Sequence, residues 1–307
     1  MSLSQGKVAI VTDEPGWHGE QLKTALLKQG INSDFVSLSD CAIYIGNEDN
    51  DLLFPDFDDL PLGVFVRGVP GGSLEQVIFR LDILHGLNEQ GIPVFNTPRS
   101  IEKTVDKPLT SLLLHRAGLP TPKTWICESH KEAMQILLEQ TNNGKQLVLK
   151  PLFGSQGQNL YRVDSNTGLF HDEKFAGIYY LQEFLQRAEG DYQDIRVFVI
   201  DGVAMASMRR RSQHWITNRA QGAACEYVEL DSHISQLAAD ACRTLNIDYA
   251  GVDLLQDKTG QFYIVEVNSI PAWYGLQSVV EFNIADRLIN AFMKRLNSSK
   301  QLKLCSN

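Results

Sequence analysis

The strongest constraint on the fold lies in the first hundred residues, where short apolar runs alternate with helical stretches. KVAIVTD, INSDFVSL, PLGVFVRGV and IPVFNTP each hold a few apolar residues bounded by polar, Gly or Pro positions. GWHGEQLKTALLKQG, closed by Gly30, and SLEQVIFRLDILHGLNEQG place apolar residues at helical spacing between them. Strands joined through helices cannot pair as tight hairpins, so they run parallel with the helices covering the sheet. Residues 1–98 are therefore predicted to form a compact α/β domain.

Beyond residue 98 the pattern changes. SIEKTVDKPLTSLLLHRAGLPTP predicts a single helix of about four turns, stopped by Gly118 and the prolines after it. A small α+β unit follows through TWIC, the helix HKEAMQILLEQT, KQLVLKPLFGSQGQNLYRV and IYYLQEFL. From DIRVFVIDGVAMASMRRR onward, long hairpins surround the helix SHISQLAADACRTLN, and EFNIADRLINAFMKRL closes the chain. The fold class is thus α/β and α+β, in segments 1–98, 99–185 and 186–298 with a frayed tail at 299–307. No internal repeat is visible.

Of the 307 residues 43% are apolar and 21% charged, the balance of a folded globular chain rather than a disordered one. A net charge of −9 disfavours nucleic acid as a partner and leaves small molecules or proteins. No apolar run reaches the roughly 18–20 residues of a membrane span, and the N-terminus leads directly into a strand. A cytoplasmic location with no membrane partner is expected. The five cysteines are scattered without CxxC spacing, which predicts reduced structural thiols instead of a disulfide framework or a zinc site.

Carboxylates interrupt the last apolar hairpin, GVDLLQDKTGQFYIVEVN. With DKTG as its loop, Gln256 pairs with Gln261 and Asp253 lies opposite Ile264, so alternation puts Asp253, Glu266 and Asn268 on one face. Three hard oxygen donors on rigid strands suit Mg²⁺, or Mn²⁺ in its place. The same residues are also satisfied if Asp253 caps a loop and Glu266 pairs with a lysine or arginine, and a bulge would shift the parity.

Three further segments carry chemistry. In LVLKPLFGSQGQNLYRV, Lys150 ends a strand and Gly154, Ser155 and Gly157 form a loop whose N–H groups can approach a phosphate; an ordinary turn reads the same way. The lysine precedes the glycines and no helix opens after them, which excludes the Walker and dinucleotide patterns. YYLQEFL is an apolar strand whose edge at Gln182 and Glu183 can meet a purine, or simply a buried strand. Alternation sends one or two of Arg209, Arg210 and Arg211 inward, where arginine clamps phosphate or carboxylate and Asn218 adds an amide; a solvated basic edge is the other reading. His18, Arg67 and Arg80 stand near expected strand ends, as acceptor-binding candidates or as surface residues.

Taken in order, VDKPLTSLLLHRAGLPTP, VLKPLFGSQGQNL, QEFL, DIRVFVIDG, RRSQHWITN, YAGVDLL and VEVNSIPAW resemble the ATP-grasp carboxylate-amine ligases, and among them the RimK-like glutamate ligases, over about residues 100–280. HWITN is similar to the branch that ligates an amino acid to a carrier protein in lysine or arginine biosynthesis. The resemblance implies an ATP-grasp fold with an N-terminal pre-ATP-grasp domain, a small central subdomain and a C-terminal α+β subdomain. It also implies that ATP is bound by Lys107 and Lys150 at its phosphates, by Gly154, Ser155 and Gly157 above them, by Gln182, Glu183, Phe184 and Leu185 at adenine, and by Asp194. Asp253, Glu266 and Asn268 would hold Mg²⁺, while Lys150, Arg210 and Asn218 would be catalytic, with Arg210 facing the reacting carboxylate.

The implied reaction joins glutamate or a similar amino acid to a carboxylate of a cofactor such as a pterin tail, a peptide or a carrier protein, through an acylphosphate. A D-alanine-type dipeptide ligase and a non-catalytic ATP-binding module resembling the synapsins are the alternatives, and relatives are often dimers or tetramers. Two departures stand out. The loop reads GQNL where the family commonly has a further glycine or an arginine, predicting a stiffer loop, and Ala272 replaces a frequent glycine.

Overall fold

The computed structural model describes residues 6–46, 51–154, 157–170, 175–185 and 190–305. Ser155 lies outside the described residues. The chain divides into two compact units, residues 1–101 with 247–250 and 269–307, and residues 102–246 with 251–268.

In the first unit β1 (Val8–Val11), α1 (Gly16–Lys28), β2 (Ser33–Val36), the short pair β3 (Ala42–Ile43) and β4 (Leu52–Leu53), β5 (Val64–Val66), α2 (Leu74–Glu89) and β6 (Val94–Phe95) follow in order. The main sheet runs β2-β1-β5-β6, with parallel pairing throughout. Val8–Val11 and Val64–Val66 are buried along their length, as befits strands covered on both faces. Helix α2 begins with a capping box in which Ser73 and Gln76 satisfy each other's backbone N–H groups.

The predicted four-turn helix is two helices, α3 (Pro98–Val105) and α4 (Lys107–Arg116). Asp106 leaves the helical conformation at ψ 90° and accepts from the Leu109 N–H, while Pro108 sits in the first turn of α4, where its missing N–H costs nothing.

The second unit continues with β7 (Thr124–Cys127), α5 (His130–Asn142), β8 (Leu147–Lys150), β9 (Tyr161–Val163) and β10 (Tyr179–Glu183). These strands form an antiparallel sheet, β7-β10-β8-β9, whose core includes Ala133 and Leu137 of α5 with Leu147, Leu149 and Leu181. Then come β11 (Tyr192–Ile200), β12 (Val203–Ser212), β13 (Ala224–Val228), α6 (Ser232–Leu245), β14 (Tyr249–Gln256) and β15 (Phe262–Asn268), with the sheet order β13-β12-β11-β14-β15. Asp201 and Gly202, both at positive φ, close the β11–β12 hairpin as a two-residue turn.

After Asn268 the chain returns to the first unit through α7 (Tyr274–Gln277) and α8 (Ile284–Cys305). The partition therefore departs from the linear segments: α8 groups with residues 1–101, and residues 299–305, expected to be frayed, prolong its helix. Ile284, Leu288, Ile289, Phe292 and Leu296 make one fully buried stripe on α8, each burial contributing about 2 kcal/mol. The ring of Phe292 meets Phe65 and Phe95 at 5.7 Å.

His18, Arg67 and Arg80 are not free surface residues. His18 Nε2 accepts from the Trp273 and Tyr274 N–H groups. Arg80 is buried and donates to the carbonyls of Pro70 and Gly71 and to Ser39, so it braces the loop before α2. No helix among the described residues is long and apolar enough to cross a membrane.

Candidate active site

Four adjacent strands of the second unit bring the predicted polar residues onto one face. Arg210 on β12 stands opposite Asp194 on β11, and Asp253 on β14 stands opposite Glu266 on β15. Arg210 is only 2% exposed and binds Asp194 through Nε (2.7 Å) and Nη2 (2.5 Å). Its Nη2 also reaches Asp253 at 2.8 Å. Arg196 grips Asp253 with two hydrogen bonds of 2.7 Å, and Thr217 donates to Asp194 at 2.6 Å.

Two arginines and two aspartates thus balance in charge, the condition under which buried ions are tolerated. Burial works to raise the Asp253 pKa, but Arg196 and Arg210 outweigh it and hold the carboxyl below its ordinary value. At Asp194 burial wins, aided by the charge of Asp253 and opposed by Arg210 and Thr217, and its pKa is raised. Burial would lower Arg210, but the two carboxylates overcome it and keep the guanidinium charged.

Alternation sends Arg210 inward while Arg209 and Arg211 stay more exposed. Arg196 and Thr217 were missed from the sequence. Arg196 follows Asp194 by two residues and so shares its face, a signal that a buried arginine on this strand needs a carboxylate.

The β14–β15 register differs from expectation. Gln256 pairs with Phe262 and Asp253 with Glu266, not with Ile264. The cause is local: Asp257 and Gln261 close the loop one residue nearer its tip, with Gly260 at φ 90°, and a bulge at Val265 then takes up the extra residue. Asp253 and Glu266 remain on one face because they are now direct partners.

The donor set fits a hard cation. Asp253 Oδ1 accepts one hydrogen bond and keeps a lone pair, and Glu266 lines the same cleft, where its charge acts on Lys107 and Lys150. The side-chain nitrogen of Asn268 is buried without a partner, and a half-turn of that amide presents its oxygen instead. Among the described residues no three His, Cys, Asp or Glu side chains gather, so the cation set would be two carboxylates and an amide.

Opposite these acids are two lysines. Lys150, ending β8, donates to Gln182 Oε1 at 2.6 Å, and Gln182 Nε2 is fixed in turn by Thr124 and Tyr180. Lys107, opening α4, donates to the carbonyls of Leu152 and Gly154 at 3.1 and 2.9 Å. Neither has an anionic hydrogen-bond partner among the described residues. Burial pushes the Lys150 ammonium down to about 8, with Glu266 opposing and Lys107 assisting. Lys107 is lowered by burial as well, against the pull of Glu266.

Gly157, at φ 72°, passes so close to Ile216 and Asn218 that a Cβ would lie 2.6 Å from atoms of both. Asn159 adopts φ 56°. Asparagine is one of the few residues that accept this left-handed conformation, so it does what a glycine would do here, and the stiffening expected from GQNL is partly offset.

The predicted purine edge is narrower than the strand pattern implies. The Glu183 N–H donates to Lys123 O and the Phe184 N–H to Gln146 O, both at 2.8 Å. The Glu183 carboxylate accepts from Lys145 at 2.5 Å, and Phe184 lies under the Arg162 guanidinium at 4.5 Å. The Leu185 N–H donates to no described residue. One cleft is lined by every residue predicted for ATP, the cation or catalysis except Ser155 and Asn268.

A family model of the RimK-like ATP-grasp domain matches residues 104–292. The tetrahydromethanopterin:alpha-L-glutamate ligase of Methanocaldococcus jannaschii is 36% identical over 242 residues, 76% of this chain and 80% of that protein. The ligase of the same name from Methanococcus maripaludis is 31% identical over 304 residues, covering 96% and 99%. Among solved structures, the ATP-grasp ligase PsnB complexed with minimal precursor, Mg and ADP superposes with a TM-score of 0.71 at 18% identity, covering 97% of this chain and 99% of that one.

Proposed function

This chain belongs to the RimK-like ATP-grasp family of ligases that form C–N bonds, and we propose that it joins glutamate to a carboxylate on the tail of a small cofactor, using ATP and Mg²⁺. The observation that carries the reading is one cleft holding two lysines without anionic hydrogen-bond partners, Glu266 and a buried arginine on a single frame. The relatives named above support glutamate as the amine and a reduced pterin as the acceptor class.

In this mechanism Lys107 and Lys150 bind the triphosphate and Leu185 meets the adenine edge. Asp253, Glu266 and Asn268 would hold the cation, which when bound would neutralise phosphate charge. Arg210 keeps Nη1 free of described partners while Asp194 and Asp253 fix the rest of the fork. That donor is preorganised to bind the acceptor carboxylate and the acylphosphate formed when the γ-phosphoryl group moves to it. Attack by the glutamate amine on the acyl carbon then displaces phosphate. Gly157 lets the loop pack tightly over Asn218, excluding water that would hydrolyse the acylphosphate.

The test is ADP release by the purified protein with Mg²⁺, ATP, glutamate and carboxylate-tailed pterins, with product mass recorded. The expected result is release that needs both co-substrates, yields an acceptor heavier by one glutamyl residue, and disappears in Glu266→Ala. Tight Mg²⁺-dependent ATP binding with no release for any pair of co-substrates would sink the ligase reading.

A further inference from the structure

In the first unit the strand order β2-β1-β5-β6 reverses direction between β1 and β5. Open parallel sheets take ligands in the crevice beyond the carboxyl ends of the two strands at such a reversal. The residue that follows β5 directly is Arg67, and its backbone N–H bonds to Val11 O at the end of β1. Its Nε is buried with no hydrogen-bond partner, and no carboxylate pairs with the guanidinium among the described residues. Burial lowers its pKa. The contrast with Arg80 is direct, since that buried guanidinium has three acceptors.

An aromatic wall stands beside Arg67. The guanidinium carbon lies 5.3 Å from the centre of the Trp273 ring. His18 meets Trp273 edge-on at 4.6 Å, and Trp17 meets Tyr274 at 5.0 Å. Trp17 and Tyr274 remain 36% and 45% exposed, so the wall is open to a ligand. A desolvated guanidinium with no counter-ion is strongly unfavourable unless something anionic joins it, and a planar fork prefers an oxyanion bound through two parallel hydrogen bonds.

We propose that Arg67, flanked by Trp17, His18, Trp273 and Tyr274, forms an oxyanion-binding site for a carboxylate or phosphate group, with the aromatic rings contacting the body of the ligand.

The experiment uses the intact protein with saturating ADP, so that the lysines of the second unit are occupied. ADP binding is recorded first and reports on the nucleotide site alone. Inorganic phosphate and glutarate are then titrated separately at ionic strength held constant with KCl, reading tryptophan emission and heat. The expected result is saturable binding of at least one probe, weakened tenfold or more in Arg67→Met and several-fold in Arg67→Lys, which keeps the charge but loses the fork. The stronger of the two probes distinguishes a carboxylate from a phosphate ligand. Arg67→Met is expected to leave the ligand-free Tm unchanged or higher, because an uncompensated charge is removed. Equal binding by wild type and Arg67→Met, no saturation with either probe, or loss of binding together with a lowered Tm would each overturn the assignment. Should Arg67→Met not fold, unchanged binding in Arg67→Lys overturns it as well.

Discussion

Lys150 should make the ligand-free protein more stable as the solution becomes alkaline. Its ammonium is held at about 8, against 10.5 for an ordinary lysine, chiefly by burial. At about 1.4 kcal/mol per pH unit the charged form costs about 3 kcal/mol in the folded state. Because the folded pKa is the lower one, that cost is fully present below pH 8 and fades as pH rises from 8 to 10.5, where the unfolded chain binds the extra proton. Urea unfolding of wild type and Lys150→Met at pH 7 and pH 9.5, both in EDTA without nucleotide, isolates the effect, since other groups titrate in both proteins. Wild type should gain about 2 kcal/mol relative to the variant across that interval. A difference between the two proteins that stays constant with pH would refute the idea that burial of Lys150 outweighs the compensation it receives from Glu266 and Asp253.

Three other outcomes follow from the same geometry. If ADP phosphates restore the charge of Lys150, binding at pH 8 in the absence of metal should take up about half a proton, seen as a buffer-dependent heat in calorimetry and absent in Lys150→Met. Asp194→Ala strips Arg210 of one of its two counter-ions and should lower stability by about 3 kcal/mol; a loss under about 1 kcal/mol in urea unfolding would show the cluster to be loosely solvated. Gly157→Ala forces a Cβ against Asn218 and Ile216 at φ 72°, so the KM for ATP should rise at least about tenfold while stability falls by about 1–3 kcal/mol, and unchanged kinetics would remove the loop from the nucleotide site.

The residues that could be read from sequence are those whose position depends only on alternation along a strand. Arg210 turned inward between two more exposed arginines, and Glu266 and Asn268 shared a face, because period two fixes both facts without reference to any neighbour. Pairing between strands was less accessible. Whether Asp253 faces Ile264 or Glu266 depends on where the hairpin closes and where a bulge falls, and Gly260 alone does not announce the bulge at Val265. The break at Asp106 was written in the sequence as an aspartate one residue ahead of Lys-Pro, yet the apolar spacing on either side hid it. Occupation of the Glu183 and Phe184 N–H groups, and the return of α8 to residues 1–101, rest on contacts between distant segments that no local pattern encodes.

The buried and half-buried cations of this chain fall into two kinds, and the division tells where ligands belong. Arg196 and Arg210 meet carboxylates, and Arg80 meets two carbonyls and a hydroxyl, so each is compensated by the protein itself. Lys107 and Lys150 meet only neutral acceptors, and Arg67 meets none among the described residues. Replacing such a group by an apolar one should stabilise the free protein, so its retention calls for a cause outside the folding equilibrium. A polyphosphate at the lysines and an oxyanion at Arg67 supply that cause. Each brings negative charge into a partly desolvated place, where the Coulomb attraction is less screened than at the open surface. Binding each anion should therefore raise Tm by more than its affinity for an exposed lysine or arginine would suggest, and the two increments should be separable by Lys150→Met and Arg67→Met.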